Sequence, residues 1–362
     1  MSAKHLTGVR ASPCSRVATG NEDFPLSLAP HAHPARATRY CFMSIFLAKR
    51  LLTLVATLLG ASVVVFGVLE ILPGNVAQVL LGPDADPEAV QAMAEQLGLN
   101  QPAWQRYTDW ITGLFQGQMG DSYTYGTPVL ELVLERLSVT IPLAVMAMLL
   151  TTVLALLAGV YAASHHNKLG DVGTMGLAQI GIAIPNFWFA ILLILLFSVK
   201  LQWFSAGGFP GWTEEVGGGW WPALQALILP AVALAVVQAA ILARITRSAV
   251  LEVLREDFVR TARAKGLSQR AVLWGHVLRN AMIPVITVMG LQFANLLAGT
   301  IVVENVFYLP GLGRLIFQSI ANRDLIVVRN CVMLLATMVI VVNFVVDLLY
   351  AVIDPRVEAS DV

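Results

Sequence analysis

Charged residues are scarce in this sequence: they make up 13% of its 362 positions, against 57% hydrophobic, and the mean hydropathy is +0.72. Soluble domains do not have that balance, so a free-standing soluble protein is excluded and an integral membrane protein is expected. Cysteine is nearly absent. Cys14, Cys41 and Cys331 are widely spaced, which supports neither a disulfide framework nor a zinc site and makes them inert thiols. His31 and His33 have no further ligands near them, so no metal site is expected, and nothing points to a nucleic-acid partner.

The catalytic vocabulary is missing as well. A phosphate-binding loop ends in Gly-Lys, because backbone amides and the lysine together neutralise the phosphates, and no Gly-Lys pair occurs. Intramembrane proteolysis needs a Gly-x-Ser-x-Gly-like nucleophile with a His, or paired Asp residues, at membrane depth. Neither is found, and no catalytic residue is expected. Ion-coupled carriers keep ionisable groups near the bilayer midplane. Here the deepest such group is Asp347, near the end of the last apolar run with Asn343 on the same face, and solvation at the membrane rim is expected for it.

What the chain does have is six long apolar runs, at about 51–69, 139–163, 172–199, 223–243, 282–303 and 331–353. At 1.5 Å per residue each approaches the roughly 30 Å bilayer core. Residues 1–42, rich in Ala, Pro, Arg and His, read as a disordered tail, with translation expected to start at Met43. Lys49-Arg50 then introduce a first transmembrane helix within 43–72, which is too long, and lacks the small-residue cleavage site, for a signal peptide. Residues 73–136 form an acid-rich segment for the outer side. It should hold one helix opened by Pro87 and stopped at Gly98, and a second carrying Trp104, Tyr107 and Trp110 at the interface. A five-helix core follows over 137–353, and then a tail, 354–362. Lys and Arg number twelve on the assigned inner side after Met43 and six on the outer side, which puts both termini in the cytoplasm.

One inner loop, 244–281, is basic and helix-patterned. It carries Arg244, Arg247, Arg255, Arg260, Arg263, Lys265, Arg270 and Arg279. Gly266 supplies a helix stop and Ser268 an N-cap, so the spacing predicts two short helices hinged at Gly266-Leu267-Ser268. A loop of this size cannot make its own core, so its apolar stripe should dock on another protein; a basic amphipathic helix lying on anionic lipid is the alternative. Within the apolar runs the polar residues are mostly uncharged: Gln179, Asn186, Gln238, Gln292, Asn295 and Asn343. Each alone suits bundle packing, and together they could line a path for a polar solute. Pro142, Pro185 and Pro230 would loosen helices near it. A pore-like bundle with no energy source of its own and a docking loop implies a transporter subunit driven by a separate motor.

The stretch Asp257-Phe258-Val259-Arg260-Thr261-Ala262-Arg263-Ala264-Lys265-Gly266-Leu267-Ser268, continuing through His276-Val277-Leu278-Arg279-Asn280-Ala281 to Pro284, resembles the coupling loop of ABC-importer permeases. The first permease of the dipeptide, oligopeptide and nickel class is the nearest likeness. Leu72-Pro73-Gly74, Gln96-Leu97-Gly98-Leu99, Gly120-Asp121-Ser122, Glu304-Asn305-Val306-Phe307, Leu309-Pro310-Gly311-Leu312-Gly313-Arg314, Arg323-Asp324 and Asp354-Pro355-Arg356 agree in order over 43–356. The general permease pattern begins Glu-Ala-Ala; here Arg260 and Thr261 stand before Ala262, a replacement that fits the peptide and nickel subgroup.

The resemblance implies an all-α, six-helix bundle of the type I importer kind with an external segment after the first helix, set in a bacterial inner membrane. It implies a second homologous permease, two cytoplasmic ATPases that use ATP and magnesium, and a periplasmic or lipid-anchored solute-binding protein, with no cofactor on this chain. ATPase contact would fall to Asp257, Arg260, Thr261, Ala262, Lys265, Gly266 and Ser268. Short peptides are the expected cargo, with nickel or its chelate as the alternative. A secondary carrier or a membrane-embedded enzyme is disfavoured by the missing groups at depth.

Overall fold

A computed structural model describes residues 34–71, 76–82, 84–96 and 98–353. The tail 1–33, Leu72-Pro73-Gly74, Leu97 and residues 354–362, including Asp354-Pro355-Arg356, lie outside the described residues. Helix α1 (Pro34–Ile71) already begins upstream of Met43, so the tail boundary expected at residue 42 falls within a helix. Its apolar side chains are turned outward, with Leu52 70% and Val64 63% exposed, as suits a helix facing lipid. It leans on the last helix, α13, and polar contacts fasten it at both ends. Arg50 pairs with Asp347 at 3.0 Å, Ser62 Oγ lies 2.7 Å from the Tyr107 hydroxyl, and Arg106 pairs with Glu70. Asp347, expected to be solvated at the rim, therefore has a cationic partner.

Among the described residues the segment after α1 holds α2 (Val76–Leu81), α3 (Pro87–Gln96) and α4 (Ala103–Phe115), one helix more than the two the sequence predicts. Gly98 takes φ +67°, and the Leu99 N–H donates to the Ala94 carbonyl at 2.9 Å, which is the stop expected there. The aromatic face of α4 is divided. Trp104 stays exposed, while Trp110 is buried, with Tyr107 and Phe66 of α1 packed around it.

The bundle proper is built on α5 (Val129–Ser164) and α8 (Trp220–Val253), two helices of 36 and 34 residues. In lipid there is little hydrophobic force between helices, so close approach through small residues has to hold them. Ala231, Ala235, Ala239, Ala243 and Ala249 of α8 are all buried. A Cβ at Gly159 of α5 would sit 2.6 Å from Thr246 Cβ and 2.7 Å from the Ala243 carbonyl, so only glycine fits. Pro142 lies inside α5, and the Ser138 carbonyl it cannot reach accepts from the Trp212 indole at 3.0 Å. Pro230 sits inside the unbroken α8.

Between α5 and α8 the chain makes a broken span. Helix α6 (Leu169–Ala183) gives way at Ile184-Pro185, with Ile184 extended, to α7 (Asn186–Leu193) and a π-turn over Ile194–Lys200, at an angle of 101°. Pro185 is thus the one proline of the three at which a helix breaks. Among the described residues five helices are long and apolar enough to cross a membrane, and the bent pair would make a sixth if it counts as one span.

After α8 come α9 (Asp257–Ala264) and α10 (Gln269–Val272). A π-turn at Leu273–Val277 joins α10 to α11 (Leu278–Val306), and α12 (Leu312–Ala321) and α13 (Leu325–Ile353) are the last elements of the described residues. The basic segment is a shorter loop than its charge suggested. Arg244 and Arg247 extend α8, and the second expected short helix is the start of a span-length helix over Gln269–Val306.

At the end of the bundle opposite α9, Glu304 is fully buried. Its carboxylate accepts from Thr140 Oγ1 at 2.7 Å and from the Gly313 and Arg314 amides at 2.7 and 3.4 Å. Thr140 Oγ1 in turn accepts from the Leu312 amide at 2.9 Å. A side chain from α11 therefore caps the first turn of α12. Nearby, Asp324 accepts from Ser122 Oγ at 2.5 Å and the Thr124 amide at 3.1 Å. Asn330 bonds the Trp110 indole at 2.9 Å and the Met119 carbonyl at 2.7 Å. Burial and the Asp324 carboxylate push the Tyr123 phenol above its ordinary range, against Arg329, which lowers it.

Candidate functional site

The coupling segment is a surface helix moored by one side. On α9 the apolar residues fall at i and i+3: Val259 is buried and Ala262 partly so, in a cluster with Val250 of α8, Val272, Val277 and Ala155 and Val160 of α5. This corrects the expectation that the apolar stripe is left free for a partner. Much of it is spent on the chain's own bundle, and Phe258, Leu267 and Trp274 remain exposed. Asp257, Arg260, Thr261, Lys265, Gly266 and Ser268 are exposed as well. The Arg260–Asp257 pair, at 3.4 Å and open to solvent, adds little to stability.

The hinge is built from backbone. Lys265 N–H donates to the Thr261 carbonyl, Gly266 N–H to Arg263 and Leu267 N–H to Ala262, at 3.1, 3.0 and 3.4 Å. Gly266 has φ +84°, where other side chains are strained, although the space beside it is open within 4 Å. Ser268 Oγ then accepts from the Ala271 amide at 3.3 Å and caps α10. Helix stop and helix start thus follow each other across two residues, leaving α9 a short rigid unit between two spans.

The polar residues of the apolar runs have different surroundings. Gln292 Nε2 donates to the Gln238 carbonyl at 3.2 Å, joining α11 to α8, and Gln292 is buried with its Oε1 unpartnered. Asn186 opens α7 and faces Gly299 of α11, whose added Cβ would lie 4.0 Å from Asn186 Nδ2. Asn295 is exposed on α11, and Asn343 on α13 has a buried, unpartnered Oδ1. Gln179 lines a cavity of about 550 Å³ between α6 and α8.

That cavity is walled by an ion pair that sequence reading missed. Asp171, 3% exposed, is held bidentately by Arg247, Nε at 2.6 Å and a terminal nitrogen at 2.7 Å. The Asn167 amide donates to it at 3.0 Å, and His166 Nδ1 stands 3.4 Å away. The signal was an acid at one end of an apolar run and an arginine at one end of another, which meet only once α6 is laid on α8. Glu304 and Asp324 stand in the family-like motifs, but their pairing with Thr140 and Ser122, and that of Asn330 with Trp110, joins residues far apart in sequence.

Against proteins already characterised, residues 155–359 match the model of the binding-protein-dependent transport system inner membrane component. Residues 43–144 match the N-terminal component of the same systems. The di/tripeptide transport system permease protein DppB of Pseudomonas aeruginosa is 41% identical over 86% of this chain and 98% of its own. The dipeptide transport system permease protein DppB of Alkalihalophilus pseudofirmus is 38% identical over 87% and 100%. The glutathione transport system permease protein GsiC of Escherichia coli O6:H1 is 41% identical over 86% and 98%. With its multiple apolar helices, the chain is a multi-pass protein of the inner membrane and a transport subunit rather than an enzyme. It belongs to the family of binding-protein-dependent transport system inner membrane components.

Proposed function

We propose that this chain is one of two homologous permease subunits of an ATP-driven importer of short peptides, with both termini in the cytoplasm. The observation that carries the reading is 41% identity to a di/tripeptide permease along nearly that protein's whole length. Of the three relatives above, two are named for di- or tripeptides and one for glutathione. A solute-binding protein on the outer face delivers the peptide, and two cytoplasmic ATPases supply the work. Helix α9 is the contact with an ATPase cleft. Val259 fixes it to the bundle, so a push on its exposed Asp257, Arg260, Thr261 and Lys265 is passed to the inner ends of α5 and α8. Gly266 lets the backbone turn at the rim of that contact.

Gly266→Asp should leave the chain inserted at wild-type level while abolishing ATP-dependent uptake of a labelled dipeptide into cells. Insertion is read by immunoblot of washed membranes. Uptake at the wild-type rate in this variant would remove α9 and its hinge from the coupling mechanism.

A further inference from the structure

The cavity between α6 and α8 has a charge the bundle does not use. Its wall carries Asp171, Met175, Gln179, Ile182, Arg244 and Arg247. Asp171 and Arg247 satisfy each other bidentately, with His166 beside both, 3.2 Å from an Arg247 terminal nitrogen. That pair is electrically closed. Arg244, one turn back along α8, lines the same cavity and makes no side-chain hydrogen bond or ion pair among the described residues. The cavity therefore presents one uncommitted guanidinium.

Two further observations say what it faces. The α6–α7 break at Ile184-Pro185 begins two residues beyond Ile182, so the part of α6 that lines the cavity ends just short of irregular backbone. Irregular backbone at membrane depth is tolerated where it is buried in protein or lines water, not where it meets lipid tails. Gln179, two turns beyond Asp171 on α6, offers an amide on the same wall, matched to a peptide bond rather than to an acyl chain. The volume, about 550 Å³, is in the range of small-molecule sites.

We infer that this cavity is a binding site for the C-terminal carboxylate of a short peptide on the α9 side of the bundle, with Arg244 as its anchor and Gln179 meeting the peptide backbone. The Asp171–Arg247 pair holds α6 and α8 at the spacing that keeps the site open. The inference rests on the peptide-transport reading for the class of ligand, but not for the existence of the site. A planar guanidinium recognises a carboxylate by paired, charge-assisted hydrogen bonds, which an uncharged amide end group cannot reproduce. An anionic lipid headgroup shares that chemistry and is the competing source.

The test uses the full chain, with the subunits that co-purify, in nanodiscs. Labelled dialanine and dialanine amide are the probes, and native mass spectrometry reports bound anionic lipid. Wild type should bind dialanine, and Arg244→Gln should weaken it about tenfold or more. Arg244→Lys should lose less than Arg244→Gln, and the amide should bind wild type no better than dialanine binds Arg244→Gln. Equal binding of dialanine and its amide, or dialanine binding untouched by Arg244→Gln, overturns the site. Lipid retention that depends on Arg244 while dialanine binding does not assigns the arginine to a headgroup and also overturns it. Arg244-dependent dialanine binding in a chain whose cells show no dipeptide uptake would keep the site and sink the transport reading. Uptake together with Arg244-independent binding would do the reverse.

Discussion

Glu304 illustrates what a single side chain does in this fold. A carboxylate removed from solvent persists only where its oxygens are met, and here Thr140 and two amides of α12 meet them. Thr140 both donates to Glu304 and accepts from Leu312, so one hydroxyl joins α5, α11 and α12. Thr140→Val should cost about 1–3 kcal/mol by orphaning both groups, lowering the melting temperature in detergent, while Thr140→Ser stays near wild type. Asp171 and Arg247 form the matching device at the other end. Removing either partner strands a charge; because the Arg247 side chain keeps 22% exposure, the loss should fall toward the lower end of ~3–5 kcal/mol. In a thermal double-mutant cycle, Asp171→Asn combined with Arg247→Gln should cost clearly less than the sum of the two. A strictly additive result would mean that the pair contributes no coupling.

At the scale of elements, the α5–α8 seam and the mooring of α9 decide what can move. Gly159→Val would drive its side chain into Thr246 and the Ala243 carbonyl, so α5 and α8 must separate. The expected outcome is loss of monodisperse protein on extraction, whereas Gly173→Val on α6, which has open space within 4 Å, should extract normally. Val259→Asp would place a charge in the apolar cluster that ties α9 to Val250 and Val277. Limited proteolysis of inside-out vesicles should then cut within 254–268 much faster than in wild type, with the spans untouched. Boundaries at this scale were only partly legible in the sequence. Gly98, Gly266 and Ser268 mark their turns because φ and capping are local properties. Charge misplaced the end of α8: a helix does not stop where the hydrocarbon does, and Arg247 continues it because Asp171 waits on the neighbouring helix.

For the whole molecule, the apolar runs made the all-helical, multi-span character readable, since length and hydropathy are properties of a segment by itself. Which polar groups meet was not readable, because Gln292 with the backbone carbonyl of Gln238, Asp171 with Arg247 and Thr140 with Glu304 are settled by how helices are stacked. The proposed placement of the C-terminal end on the cytoplasmic side has a direct check. A fluorescent protein fused after Val362 should glow and an alkaline phosphatase fused there should be inactive; the opposite pattern would invert the bundle. The glycine notch at residue 159 has a mechanical corollary. Thr246, which fills it, lies about 10 Å from the Val253 end of α8 and about 39 Å from the Trp220 end. Because this grip lies nearest the α9 end, a nudge arriving there is shared by both rods at once instead of sliding one past the other.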